Sequence, residues 1–225
     1  NSMKKILFLA ASMLLTIAAF AETMPANDSR VTYVGRTMVE GTDVSFDWTA
    51  TYFRIEFSGK SLTMRASETK WDVDADKAAT RHNYYNVWID SPTSAEPHRI
   101  IEVAGNDTII ELIDPAYLKK SRRAVHEVIV QKRTEGEQGK TTIHEFATDP
   151  TGKFFQAKGL NERQLEFIGD SYTCGYGIDA PSRKDRFSPE TENASRSYAG
   201  IVSRYFGADY VAIAHSGMGI ARNYN

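Results

Sequence analysis

The string Ile168-Gly169-Asp170-Ser171, continuing as YTCGYG to Gly177, holds the residues with the clearest chemical potential in the chain. A serine becomes a useful nucleophile when a tight turn at the C-terminal end of a strand exposes its Oγ and aims backbone N–H groups at the oxyanion that forms on attack. Gly169 allows such a turn, Asp170 can accept bonds from loop amides, and Ser171 is presented toward the crevice where ligands of open α/β sheets collect. A second glycine-bearing loop, HSGMG at 215–219, follows the next strand-like run. Side by side in a parallel sheet, the two tips would bring the amides of Ser171 and Gly217 around one point. Alone, Gly-Asp-Ser would be an ordinary turn; the strand before it and the second loop are what point to acyl transfer.

These loops need strands to carry them. From Val31 to about Phe155 the text is short alternating runs rich in Val, Ile, Thr, Tyr and Phe, punctuated by Gly, Pro, Asn and Asp. Eight runs stand out, at 31–35, 43–48, 52–59, 61–66, 84–90, 98–104, 107–113 and 124–133. With no long amphipathic helix among them, they predict an all-β sandwich such as a jelly roll over 22–158. The cluster at 134–140 and Gly105-Asn106-Asp107 are read as hairpin loops. At about Gly159 the text changes. Residues 163–168 (RQLEFI) read as a strand, 194–206 as a helix, and 209–215 (DYVAIAH) as a buried strand. Tyr198, Ile201, Val202 and Tyr205 recur at the spacing of one helix face, and Gly207 is a natural stop. Strand, helix, strand opens a parallel α/β sheet over 159–225.

Residues 3–21 have a basic start, a short apolar core and small residues at Ala19 and Ala21, which predicts a cleavable signal peptide over 1–21. The apolar run is short for a span, and no cysteine adjoins the cleavage site for lipid attachment. Export to the periplasm or the medium is the expected localisation. Of 27 basic side chains, Lys4 and Lys5 leave with the leader, and the rest face 29 acidic ones for a net charge of −4. That balance gives no electrostatic case for nucleic acid or an anionic membrane as partner. One cysteine, Cys174, excludes an internal disulfide framework.

Taken together, 163–177 (RQLEFIGDSYTCGYG) and 213–223 (IAHSGMGIARN) resemble the first two blocks of the SGNH, or GDSL-like, hydrolases, and more narrowly carbohydrate esterase family two of the acetylxylan-esterase type. YVGRT at 33–37 and AVHEVIVQKRTEG at 124–136, running into FATDPTGKF, resemble that family's N-terminal jelly roll. The resemblance implies a jelly-roll sandwich followed by the N-terminal part of a three-layer α/β hydrolase domain. It implies Ser171 as nucleophile and first oxyanion amide, Gly217 as second amide, and Gly169 and Asp170 as their support. The implied substrate is an acetylated polysaccharide or oligosaccharide. The family's third oxyanion donor, an asparagine in a G-x-N-D block, and its base, a histidine in a D-x-x-H block, have no counterpart in these residues. C-terminal truncation is the expected reason, and the piece alone is expected to be nearly inert. Two other readings stay open: a carbohydrate-binding or scaffolding sandwich with a vestigial hydrolase part, and an SGNH lipase, thioesterase or peptidoglycan esterase.

The remaining candidates read as structural or stay open. His215 adjoins the second loop, but a base must reach Oγ edge-on, so His215 is expected to shape the loop. His126 sits inside a strand, and His82, His98 and His144 lack metal-site spacing, so neither a metal nor another cofactor is predicted. Cys174 reads as a small apolar filler. Trp48, Trp71, Tyr84, Tyr85 and Trp88 either stack on sugar rings or pack in the β part; Trp88 reads as core and Trp71 is left open. The charged loop 178–194 is a solvated insertion or a wall of the cleft.

Overall fold

The computed structural model describes residues 21–70 and 81–224; the stretch expected to be a leader, apart from Ala21, and Trp71 lie outside the described residues. Alternation of buried and less buried side chains builds the first part. In β6 (Leu62–Thr69), Leu62, Met64, Ala66 and Glu68 are buried while the residues between them are not. The other strands of that sheet are β1 (Thr23–Pro25), β3 (Met38–Glu40), β4 (Asp43–Phe46), β9 (Thr108–Glu111) and β11 (Lys140–Thr148). Their order is β3-β4-β11-β6-β9, with β1 sharing the β4 edge of β11. A second antiparallel sheet runs β12-β5-β10-β7-β8, with β2 beside β12 on β5. Its members are β2 (Thr32–Val34), β5 (Tyr52–Ser58), β7 (Asn83–Ile89), β8 (Arg99–Val103), β10 (His126–Lys132) and β12 (Lys153–Phe155). Phe53, Phe57, Val87, Val128 and Val130 of this sheet share one core with Leu62, Met64, Ile143 and Phe146 of the first. Each such burial contributes about 1.5–3 kcal/mol. A short helix, α1 (Pro115–Lys120), capped by Asp114, seals one edge with Leu118.

All eight expected runs form strands, yet the central β11 was not among them. A bulge between Ile143 and Glu145 shifts its register, so Ile143 and Phe146 are both buried although three residues apart. The period of two is broken where it would have been read. Residues 134–140 are also not a hairpin loop. β10 and β11 belong to different sheets, and the segment between them crosses from one to the other. The same correction applies to Gly105-Asn106-Asp107, which joins β8 to β9 across the sheets; Asp107 there pairs with Arg65 at 2.7 Å.

The second part follows the expected order: β13 (Gln164–Gly169), a single turn α2 (Ser171–Cys174), α3 (Tyr198–Tyr205) and β14 (Asp209–Ala214). β13 and β14 are parallel, in register from Gln164 opposite Asp209 to Gly169 opposite Ala214. The buried face of α3 differs from the one expected. Ala199, Gly200 and Ser203 are buried, whereas Tyr198, Ile201 and Tyr205 are exposed. Small side chains let the helix approach the sheet closely, so Ala199 packs with Tyr210, Ala212 and Phe167.

The outer face of the second sandwich sheet is the platform for this part. Tyr52 donates its hydroxyl to Asp209 Oδ1 at 2.6 Å, and Arg54 Nη2 pairs with the same oxygen at 2.5 Å. The Asn161 amide closes on Oδ2 at 2.7 Å, and Gln131 donates to the Tyr210 hydroxyl at 3.2 Å. Burial pushes the Asp209 carboxyl up, but the bonds from Arg54, Tyr52 and Asn161 outweigh it and hold the group below its usual range. Asp209→Asn is expected to cost about 3 kcal/mol at neutral pH, because it leaves Arg54 buried without its charge partner. A carboxyl depressed by folding contributes above its unfolded pKa and loses that contribution as pH falls through the folded value. The gap between wild type and variant in urea unfolding should therefore shrink on acidification below about pH 4.

Candidate active site

Gly169 ends β13 and Ala214 ends β14 as direct partners, so the loops that follow start side by side; the His215 amide donates to the Gly169 carbonyl at 3.3 Å. At the first tip a Cβ on Gly169 would lie 2.0 Å from Thr173 Oγ1, so only glycine lets the chain turn here. Asp170 caps α2: its carboxylate accepts from the Tyr172 amide at 3.0 Å, and its carbonyl from the amides of Thr173 and Cys174. This leaves Ser171, the first residue of the turn, half-buried at the mouth of the tip, beside an exposed Tyr172. At the second tip Gly217 takes a φ of +77°, which favours glycine. The loops that carry Asp170 and Ser171 on one side and Gly217 on the other thus start from paired strand ends.

All five histidines bond elsewhere. His82 is on Glu68, His98 on the Asp114 amide, His126 on Asp90, and His144 on Asp43 and Ser67. His215 Nδ1 lies 2.8 Å from the Ser216 carbonyl, so this ring shapes the loop. Trp88 is buried with its indole N–H on the Ala95 carbonyl.

Beneath the two tips lies a buried polar cluster that the sequence did not announce. Lys132, Arg133, Thr134 and Glu135 are each at most 2% exposed. Lys132 Nζ donates to the carbonyls of Asp47, Thr134 and Glu135 at 2.9, 2.9 and 3.0 Å. Arg133 reaches Asn86 Oδ1, Asp179 Oδ2 and the carbonyls of Glu190 and Glu192. Glu135 accepts the Ser216 amide on one carboxylate oxygen and the Ser216 hydroxyl on the other, both at 2.6 Å. The loop 178–194 is therefore neither simply solvated nor simply a wall: Asp179 and Glu192 are anchored inside, and 181–186 are exposed. The only hint in the sequence was charge, QKRTE, at the end of an apolar strand. Such a run ordinarily reads as a solvated end.

Glu135, Cys174 and Glu192 bring ligand-type atoms within 4.8 Å of one another. Burial, then the charge of Glu135, pushes the Glu192 carboxyl well above its usual range, and burial likewise pushes the Cys174 thiol up. Beside them burial lowers Lys132 to about 8.

An antiparallel sandwich carrying a parallel strand-helix-strand unit with a Gly-Asp-Ser tip defines the class of the described residues. The chain belongs to carbohydrate esterase family 2: residues 33–157 match the family model described as Carbohydrate esterase 2 N-terminal. It is 33% identical over 199 residues to an acetylxylan esterase / glucomannan deacetylase of Cellvibrio japonicus, covering 85% of this chain and 48% of that protein. It is 40% identical over 99 residues to the cellulase/esterase CelE of Acetivibrio thermocellus, covering 44% of this chain and 12% of that one. A solved family two carbohydrate esterase from Clostridium thermocellum, in complex with cellohexaose, superposes with a TM-score of 0.73 at 26% identity, over 87% of this chain and 54% of that one. The chain spans about half the length, or less, of these relatives.

A carboxyl raised by folding contributes stability below its unfolded pKa and loses it as pH rises toward the folded value. Wild-type stability should therefore decline through Glu192 as pH rises above about 5. Glu192→Gln keeps a neutral side chain at every pH and should flatten that decline. Urea unfolding midpoints across this range test it, and an unchanged slope would count against a neutral Glu192.

Proposed function

We propose that this protein is an exported serine esterase that removes O-acetyl groups from a plant-type polysaccharide through an acyl-serine intermediate. The observation that carries the reading is the register of β13 and β14, which sets the Ser171 loop beside the Gly217 loop at the C-terminal edge of a parallel pair. In this reading Ser171 Oγ attacks the acetyl carbonyl carbon while its proton passes to a base. The amides of Ser171 and Gly217 donate to the oxygen as it becomes anionic, and Asp170 and Gly169 hold the turn. Collapse of the tetrahedral adduct expels the sugar oxygen, which takes the proton. Water then attacks the acetyl-serine and releases acetate. The base and a third donor are the histidine and asparagine that the family resemblance implies, outside these residues.

The substrate class is supported by what the relatives' names print: acetylated xylan and glucomannan for the curated relative, and cellohexaose for the solved structure. The same resemblance supports a jelly-roll topology for the sandwich and a three-layer arrangement for the complete α/β domain. The leader expected at 1–21 is the basis for export to the periplasm or medium. No nucleic acid or membrane partner is included, in keeping with the charge balance.

The complete natural protein, with Ser171→Ala as control, should be assayed on acetylated xylan, acetylated glucomannan and a long-chain 4-nitrophenyl ester. Acetate release from the polysaccharides should exceed cleavage of the long-chain ester, and the alanine variant should lose at least about 10⁴-fold in kcat. Activity retained by Ser171→Ala would sink the mechanism; preference for the long-chain ester would sink the substrate.

A further inference from the structure

Gly217 can donate to an oxyanion only if the peptide joining it to Ser216 is held in one plane. In a trans peptide the Gly217 N–H points opposite to the Ser216 carbonyl, so whatever holds Ser216 aims the Gly217 amide. Three atoms of Ser216 are held. Its amide and hydroxyl are both taken by the Glu135 carboxylate, and its carbonyl accepts from His215 Nδ1 at 2.8 Å. Both carboxylate oxygens accept, which is the bonding of an ionised group. We infer that Glu135, delivered from the β-sandwich, is a positioning residue for the acyl-transfer site, fixing the Ser216–Gly217 peptide so that the Gly217 amide meets the developing oxyanion. The inference rests on the esterase reading above and adds to it a residue outside the α/β part.

Two further observations support it. The Glu135 backbone is pinned where the carboxylate starts: its amide donates to Glu192 Oε2 at 3.0 Å and its carbonyl accepts from Lys132 Nζ at 3.0 Å, all out of contact with water. The Cys174 thiol also faces Glu135 Oε2, at 3.8 Å, from the end of the turn that begins with Ser171. One carboxylate is thus the common reference for both tips. An acid is suited to this place because it accepts two donors side by side, and charge-assisted bonds are roughly twice as strong as neutral ones.

The test uses the complete natural protein. An alkyl phosphonate, run to completion, labels Ser171 and counts competent sites, and kcat and KM for 4-nitrophenyl acetate are then expressed per labelled site. Glu135→Ala should lower kcat by about 10- to 100-fold with KM within about twofold, a part of the loss seen when a whole oxyanion donor is removed. Glu135→Gln should recover to within about fivefold of wild type, since its carbonyl accepts the Ser216 amide and its NH₂ donates to the hydroxyl. If Glu135→Ala does not fold, Ser216→Ala removes only the hydroxyl arm and should still lower kcat several-fold. A kcat per site within about twofold of wild type in Glu135→Ala, or in Ser216→Ala should it be needed, overturns the inference. So does a glutamine variant as impaired as alanine. Failure of the esterase reading looks different: wild type unlabelled at Ser171, or Ser171→Ala fully active.

Discussion

Four consecutive residues, Lys132 to Glu135, lie out of water where the sandwich meets the α/β part, and three of them are ionisable. Removing one charge from water costs several kcal/mol even after relaxation, so such a run persists only where each group has found its complement. The complements come from both sides of the junction. Lys132 is held by sandwich carbonyls, Arg133 by Asn86 on one side and Asp179, Glu190 and Glu192 on the other, and Glu135 by Ser216. Separating the two parts would strand the Glu135 carboxylate and take from Arg133 its partners at Asp179, Glu190 and Glu192. The junction is therefore a fixed one, unlike the looser interfaces usual between domains of a chain.

That fixity matters because the unit bearing Ser171 is slight among the described residues. A two-stranded sheet with one short helix does not hold its geometry unaided. The outer face of β5 and β10 supplies what is missing. Tyr52, Arg54 and Gln131 project from strands whose other face is the sandwich core, and they grip the start of β14 at Asp209 and Tyr210. The start of β14 is anchored there, and its far tip is anchored through Ser216 by Glu135. The second sandwich sheet is thus buried on both faces along this stretch, which is why β10 ends in a run of buried polar residues instead of alternating.

Within this frame the local chemistry of the tips is simple. The turn after β13 forms because Gly169 leaves space for Thr173 and Asp170 caps the amides that follow. The loop after β14 forms because Gly217 accepts a positive φ. The mutual aim of the two loops is a different matter, set by the ladder between β13 and β14 and by the carboxylate beneath them.

What the amino-acid order determined by itself is what depends on near neighbours: eight of the strands, the strand-helix-strand unit, and the Gly-Asp-Ser and His-Ser-Gly tips. Turn chemistry and hydrophobic period are local properties, so they can be read along the chain. β11 was missed because a bulge interrupts that period, and the buried face of α3 was misassigned because small residues, not large apolar ones, make the close contact. Which sheet each strand joins, the passage of 134–140 between sheets, and the burial of Lys132 to Glu135 were decided only by the tertiary structure. Glu135 and Ser216 are 81 residues apart. A charge reads as solvated until its partner is known, and here the side-chain partners of Arg133 and Glu135 arrive from distant parts of the chain, while Lys132 joins a distant carbonyl, that of Asp47, to those of Thr134 and Glu135 nearby.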